Sequence, residues 1–403
     1  MGLNVKYKRL SVLIDHLSAD LITTVQQFEA IKDEWKNLFA SNREQHSIFQ
    51  DFTWNYTCWK YTGRNYKLAI ITVREEGKLV GVGPFMTASS LGVSRVEPIG
   101  SGKFAYFGLL VSNNREDVIE AMAVKLVEAF PKGIYHFPYY ASGNCSINVL
   151  AATLWSMDWH EARWVRNVSP YVYEESGFSD YFSRKSQKVR YNLRREYKNM
   201  EKIGNVVISH FAHSDLTDSI VERIDKIQKL SWLMRRGIET VDSPFNREVI
   251  PLLALEGSAE VFILSINEND AAFILDFCSA KCCHCMTIGF DERLKQVSPG
   301  KHLMQFCIQH VLDRGDWVYD FLFGGGGYKD FWGTRTKQVF RCVFYKGFRG
   351  WALSCFPRLH GKLAKYTVLK EILSSIVGFA GEYPLLKKIL WKVGIIRHGN
   401  KPI

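Results

Sequence analysis

The feature that most constrains this chain is a run of three apolar segments of strand length between residues 260 and 290. They are Glu260–Ile266 (EVFILSI), Ala271–Ser279 (AAFILDFCS) and Cys282–Phe290 (CCHCMTIGF). Short polar turns separate them, so consecutive antiparallel pairing satisfies their backbones most directly. Directly after come a helical pattern at Pro299–Arg314, a strand at Trp317–Phe323 and the glycine run 324–327. Strands in a meander, then one helix-and-strand unit, predict an α+β fold.

The first half has the same grammar. Phe28, Ile31, Trp35 and Leu38 give Thr24–Ala40 the spacing of an amphipathic helix, and Asp51–Tyr61 reads as an aromatic-rich helix. Tyr66–Arg74 and Lys78–Phe85 form a hairpin about Glu75-Glu76-Gly77, followed by a helix at Val118–Phe130 and a strand near Gly133–Phe137. In the second half, Asp180–Ile203 predicts one long basic helix, Asp215–Met234 another, and Gln338–Tyr345 the last strand. Two similar lobes follow, 1–165 and 166–355, with the boundary near Ala162–Tyr171. Residues 356–403 form a basic amphipathic tail. From Arg358 onward nine Lys and Arg face two Glu, which is most of the chain's net charge of +11.

That charge favours anionic partners. The chain has 403 residues, 47% of them apolar and 23% charged, which excludes disordered and fibrous classes. No apolar stretch is long enough to span a membrane. The first twenty residues carry neither a signal-peptide core nor a myristoylation pattern, so the expectation is an unprocessed cytoplasmic protein. Nine Cys is an odd number, and Cys278, Cys282, Cys283, Cys285 and Cys307 lie in apolar runs, as buried thiols of a reducing compartment do.

Several residues point to chemistry. In Gln296–Met304 (QVSPGKHLM), Ser298 suits a helix N-cap, Pro299 the first turn, and Gly300 a close backbone approach. With Lys301 and the helix dipole, this is either a phosphate seat or plain capping. Asp320, on an apolar strand, needs a partner if buried; an ion pair with Lys329 or a role as base near an acceptor both fit. Asp276 is a second candidate base, and Asp291 a turn residue. On the basic helix Lys188, Arg190, Arg194 and Arg195 either form a solvated face or grip an anion. Cys282 and His284 point away from Cys283 and Cys285. That alternation, with no second Cys-x-x-Cys, argues against a metal site and disfavours a Cys–His nucleophile pair. Trp54, Trp59, Trp155, Trp159 and Trp164 suit the core or a cleft lining.

The meander AEVFILSIN/AAFILDFCSA/CCHCMTIGFD, with SPGKHLMQFCIQHVLDRG and VYDFLFGGGGYKDFW, resembles the acyl-transferring lobe of GNAT-type N-acyltransferases. More narrowly it resembles the CelD/BcsL-type acetyltransferases of polysaccharide biosynthesis, relatives of the FemAB transferases. The stretches FQDFTWNYTCWKYTG, KLAIITVREEGKLVGVGPFM, SRKSQKVRYNLRREYKNMEKIG and LSWLMRRG agree, so the likeness runs over residues 20–348. It implies two GNAT-like lobes, each a mixed, largely antiparallel sheet flanked by helices, plus the helical tail. It also implies an acyltransferase that moves groups other than aminoacyl groups, with acetyl-CoA or a longer acyl-CoA as co-substrate and no metal. The acceptor would be an amino group of an envelope polysaccharide precursor, sugar or lipid.

Under that resemblance Gln296, Ser298, Gly300, Lys301 and His302 hold the donor diphosphate, although Gln296 and Gly300 stand one residue further apart than the usual motif and Pro299 is inserted. Tyr328 protonates the leaving thiolate or simply packs on the sheet, with Asp320 and Asp276 as bases. Lys188, Arg190, Arg194, Arg195, Trp232 and Lys329 contact substrate, and a backbone N–H within Met286–Phe290 polarises the carbonyl. Two alternatives stand beside this reading: an aminoacyl-tRNA donor, as in FemAB-like relatives, or a non-catalytic scaffold whose tail docks at the inner face of a membrane. No DNA partner is expected.

Overall fold

The computed structural model describes residues 16–42, 46–90, 93–101, 103, 105–232, 241–324 and 326–347. The tail from 356 onward and the LMRRG part of the LSWLMRRG stretch lie outside them. The first lobe runs β1 (Leu17–Ile22), α1 (Val25–Ala30), α2 (Lys32–Ser41), α3 (Phe52–Thr62), β2 (Lys67–Leu68), β3 (Ile70–Glu75) and β4 (Lys78–Gly83). It continues with β5 (Phe85–Ser90), β6 (Val93–Pro98), β7 (Leu110–Val111), α4 (Glu116–Ala129), β8 (Ile134–Ala141), α5 (Cys145–Ser156) and β9 (His160–Tyr173).

The second lobe contains α6 (Phe178–Ser183), α7 (Gln187–Glu201), β10 (Val206–Ala212), α8 (Asp218–Lys229) and α9 (Pro244–Leu255). Then follow β11 (Ala259–Ile266), β12 (Asn269–Ser279), β13 (Cys282–Phe290), α10 (Pro299–Asp313), β14 (Val318–Asp320), α11 (Tyr328–Trp332) and β15 (Arg335–Tyr345). The fold is α+β, with the meander β11–β12–β13 antiparallel as expected.

Three expectations are corrected. The helix expected over 24–40 is two helices, because Ile31 leaves helical geometry with ψ 7°. The long basic helix is broken at Ser186, whose extended backbone (ψ 151°) starts α7 while its side chain accepts from the Val189 amide. The strand expected over 317–323 pairs only at 318–320, because Leu322 adopts a positive φ of 55°.

The sheets explain how the lobes join. One has the order β1-β3-β4-β7; the other runs β10-β11-β12-β13-β14-β9-β15-β8-β6-β5-β2. Residues 162–171 therefore lie within a continuous strand, β9. Its C-terminal end pairs with β14 and its residues from His160 to Tyr171 with β15, and β15 pairs on its other edge with β8 of the first lobe. Backbone ladders stitch the halves together. Apolar packing adds to them: Trp54 of α3 meets Phe245 of α9 at 5.7 Å and Phe277 of β12 at 6.0 Å between ring centres. Trp159 is also buried, while Trp155 stands half exposed.

Candidate active site

β13 and β14 are parallel neighbours for three residues only, Cys282–His284 against Val318–Asp320. Beyond that point each keeps its other neighbour. β13 stays on β12 as far as Phe290, while the chain after Asp320 follows β9, with the Phe321 and Gly324 amides donating to Pro170 O and Val168 O. The two strands therefore diverge from an apex at His284 and Asp320. Among the described residues the β13 edge from Cys285 to Phe290 has no strand beside it, so its outward amides are free of a ladder there. A bulge at Leu275/Asp276 adds Met286 as an extra residue on that edge.

Asp320 is fully buried at the apex, and its shell comes from both lobes. Its Oδ1 accepts from Ser169 Oγ of β9 (2.8 Å), the Tyr106 hydroxyl (3.3 Å) and the Leu322 amide (2.8 Å). Its Oδ2 lies 2.6 Å from Lys337 Nζ of β15 and 3.5 Å from His284 Nδ1. Ser169 and Lys337 are direct partners across the β9–β15 ladder, so that register places both on one carboxylate. Burial alone would raise the Asp320 carboxyl, but Lys337 and His284 outweigh it and hold it far below the carboxylate range. Its ion partner is Lys337, not Lys329 as expected. Lys329 instead donates to Phe321 O and Phe323 O, both at 2.7 Å, and so clamps the diverging arm.

His284 is buried on the face toward the first lobe, 5.0 Å from the Phe49 ring and 5.9 Å from the Tyr106 ring. Its Nε2 lies 3.7 Å from Cys282 Sγ. Burial would lower the imidazole, but Cys282 and Asp320 push it up to about 9. The Cys–His pairing that the sequence disfavours is therefore present. Two residues apart on a strand, Cys282 and His284 share a face, and the structure brings them together. Cys283 and Cys285 do turn to the opposite side, and Cys283 is not the thiol expected but forms a disulfide with Cys278 directly across the ladder.

Asp276 lies away from the apex, fully buried, with both oxygens accepting from the Tyr319 hydroxyl at 2.9 and 3.0 Å. Burial, then Glu260, pushes its carboxyl well above the usual range. Tyr328 begins α11 and meets Phe321 edge-on at 6.0 Å. Burial raises its hydroxyl well above the ordinary value, so it keeps its proton. A separate polar group has His210, His310 and Arg314 around Glu260, and His210, Glu260 and Arg314 of it border a cavity of about 360 Å³. His210, His310 and Glu260 have metal-ligand spacing, but Arg314 Nη1 already donates to both Glu260 oxygens at 2.9 Å.

The expected phosphate seat is more closed than its sequence suggests. Ser298 takes a left-handed backbone (φ 52°, ψ 50°) and its side chain caps nothing, because a following proline disfavours the ordinary helical conformation there. Pro299 has no N–H. The amides of Ser298, Lys301 and His302 donate to Lys295 O (3.2 Å), Ser298 O (3.0 Å) and Ser298 O (3.4 Å). That leaves the buried Gly300 amide, over which the Phe290 ring lies: a Cβ on Gly300 would meet Phe290 Cδ1 at 3.2 Å. Lys301 Nζ binds Glu196 of α7 at 2.8 Å, and Gln296 is exposed. His302 is buried with Nε2 unpartnered, and burial holds its imidazole down at about 4.

α7 runs beside this loop through Glu196 and through Tyr197, which meets His302 edge-on at 5.5 Å. Lys188, Arg194 and Arg195 on it are exposed and Arg190 half-buried. None of the four is in an ion pair among the described residues. Trp232 is half-buried just after α8.

Comparison with known proteins agrees with this geometry. Residues 187–330 match the acetyltransferase (GNAT) domain family. No curated protein matches the chain. Among solved structures, FemX superposes with a TM-score of 0.57 at 12% identity, covering 80% of this chain and 96% of that one. The C-terminal domain of a protein described as a lysylphosphatidylglycerol synthetase, from Agrobacterium fabrum, gives 0.52 at 10% identity, covering 82% and 97%. At such identities the likeness is one of fold, and it spans both lobes. No described helix is long and apolar enough to cross a membrane. The segment from α7 to α11 thus matches the acetyltransferase (GNAT) domain family, and both lobes together share the fold of FemX.

Proposed function

We propose that this chain transfers an acyl group from acetyl-CoA or a longer acyl-CoA to an amino group of an envelope polysaccharide precursor, sugar or lipid. The observation that carries the reading is the divergence of β13 from β14 at a buried His284–Asp320 apex, inside the segment that matches the GNAT domain. Amine acylation needs a polarised carbonyl, a group to take the amine proton and a proton for the leaving thiolate. The unladdered amides of Met286–Phe290 supply the first. His284, oriented by Asp320, takes the amine proton when its imidazole is in the neutral form, and Tyr328 delivers one to the thiolate.

With one free amide in the Gln296–His302 loop, most of the charge that meets the donor diphosphate comes from Lys188, Arg190, Arg194 and Arg195. The protein works in the cytoplasm, with residues 356–403 holding it at the inner face of a membrane. Domain limits of 1–165, 166–355 and 356–403 remain the proposed organisation, with β9 and β15 shared across the first boundary.

Calorimetric titration with acetyl-CoA and with longer acyl-CoAs tests the donor. Saturable binding weakened by Arg194→Ala supports the reading, and no binding at millimolar donor overturns it. The single free amide and the exposed Arg194 and Arg195 also favour a second reading, an aminoacyl-tRNA donor. That reading expects tRNA binding with a steep salt dependence, lost in Arg194→Ala/Arg195→Ala.

A further inference from the structure

The apex holds one group that direct transfer does not use. Cys282 is half-buried, and its Sγ lies 3.7 Å from His284 Nε2. The other nitrogen of that ring faces Asp320 Oδ2 at 3.5 Å. Asp320 is fixed in turn by Ser169, Tyr106, Lys337 and the Leu322 amide. A thiol, an imidazole and a carboxylate in that order are the parts of an activated nucleophile: base next to thiol, orienting acid behind the base. Among the described free cysteines, Cys58, Cys285, Cys307 and Cys342 are buried and burial pushes their thiols up, while Cys145 is exposed with its thiol on the Gly143 carbonyl. Cys282 alone among these combines access with a base.

We propose that Cys282 is a catalytic nucleophile that holds the acyl group as a thioester before the acceptor amine takes it. This rests on the acyl-transfer reading above but not on the identity of the donor. In the first half, the Cys282 thiol gives its proton to His284 Nε2 and the sulfur attacks the donor carbonyl carbon. The new C–S bond forms as the donor's own bond to its carrier breaks, and the carrier leaves with the proton that His284 took from the thiol, so on this route Tyr328 supplies none. In the second half, the amine nitrogen attacks the acyl-cysteine and the C–N bond forms. The Cys282 C–S bond then breaks, and the amine proton passes through His284 back to the sulfur. Lys337 and Tyr106 beside Asp320 keep that carboxylate charged and in place, so they are positioning residues for His284.

The test has two arms. The full chain is incubated with acetyl-CoA and with a longer acyl-CoA without acceptor, acid-quenched and weighed intact, with peptide mapping and neutral hydroxylamine treatment. One hydroxylamine-labile acyl group on Cys282 is expected, absent from Cys282→Ala and Cys282→Ser and at least tenfold slower to form in His284→Gln. Cys145→Ala should acylate as the parent does. Parental acceptor turnover by Cys282→Ala without any adduct overturns the covalent step and leaves acyl transfer standing.

The second arm needs no donor. Iodoacetamide should alkylate Cys282 at least tenfold faster than Cys145 near neutral pH, with that advantage lost in His284→Gln. Equal rates at the two cysteines overturn the proposal even if no acyl-CoA is ever turned over. A parental circular dichroism spectrum and a single cooperative urea transition confirm that the variants are folded.

Discussion

The apex at His284–Asp320 and the turn at Gln296–His302 are both polar, both next to β13, and built on opposite plans. At the apex, side chains from β9, β13, β14 and β15 and from Tyr106 converge on one buried carboxylate, so its chemistry exists only when both lobes are in register. In the turn, amides bond to carbonyls three or four residues away, and Lys301 reaches Glu196 of the neighbouring helix and lies over the Phe331 ring. The first arrangement is long-range and leaves atoms facing one another, His284 Nδ1 and Asp320 Oδ2, whose geometry falls short of a hydrogen bond. The second is local and its backbone largely satisfied, although the buried His302 Nε2 has no partner. A site kept by distant residues at the expense of fully met hydrogen bonds is where chemistry belongs, and a satisfied turn is scaffold.

The largest effect that can break this contrast is at Asp320. Asp320→Ala removes the buried carboxylate partner of a half-buried Lys337 and of a buried His284, and the cost of the unpaired charge is about 3–5 kcal/mol. Urea unfolding of the full chain measures it. A loss below about 1 kcal/mol, the size of a surface pair, would mean that water screens the apex and that it is no more special than the turn.

The pH dependence separates the two regions by sign. The folded His284 imidazole is raised to about 9 against about 6.5 unfolded. Its stabilisation is complete below about 6.5 and disappears as the pH climbs through 9. His302 is depressed to about 4, so its contribution is complete above about 6.5 and disappears as the pH falls through 4. Each amounts to a few kcal/mol at most, since a tenfold change in proton affinity between the folded and unfolded chain is worth about 1.4 kcal/mol. Urea midpoints across pH 4–9 for the parent, His284→Gln and His302→Gln test this. The alkaline slope should flatten only in the first variant and the acid slope only in the second; the reverse pattern would exchange the two environments.

Which features are legible in sequence follows from the same contrast. β11, β12 and β13 can be read because each is apolar over a continuous strand length and follows its partner immediately. α10 can be read from its period and its Pro start. The partners of Asp320 cannot, since Ser169, Tyr106 and Lys337 lie far from it in the chain and meet it only through the β9–β15 register. Lys329 looks the better partner because it is close in sequence, yet the positive φ of Leu322 turns the intervening chain so that its ammonium meets carbonyls instead.

β9 escapes a sequence reading for a related reason. Its residues 164–168 are mostly half-exposed or exposed, with Arg and Asn among them, so nothing apolar and continuous marks the segment. The Cys282–His284 pair is legible in principle, because alternation places residues two apart on one face. Weighing each residue against its immediate neighbours, instead of along the face, hides that signal.

Smaller effects sharpen the view of the turn. A double-mutant cycle between Lys301 and Glu196 should return a coupling of about 0.5–1 kcal/mol, the value for a partly exposed pair. Within α7 itself, Arg194 and Arg195 are exposed and free of ion pairs among the described residues, so Arg194→Ala/Arg195→Ala should leave the urea midpoint within about 0.5 kcal/mol of the parent. Donor affinity should nevertheless fall, because the turn beside them offers a phosphate little more than one amide. If affinity holds while Lys301→Ala abolishes it, the anion is gripped by the turn, and the Lys301–Glu196 contact must open to admit it. If affinity falls with stability unchanged, the loop serves as the wall of the donor site and the arginines as its floor, which places recognition on a helix whose sequence a charge count alone would have assigned to solvent.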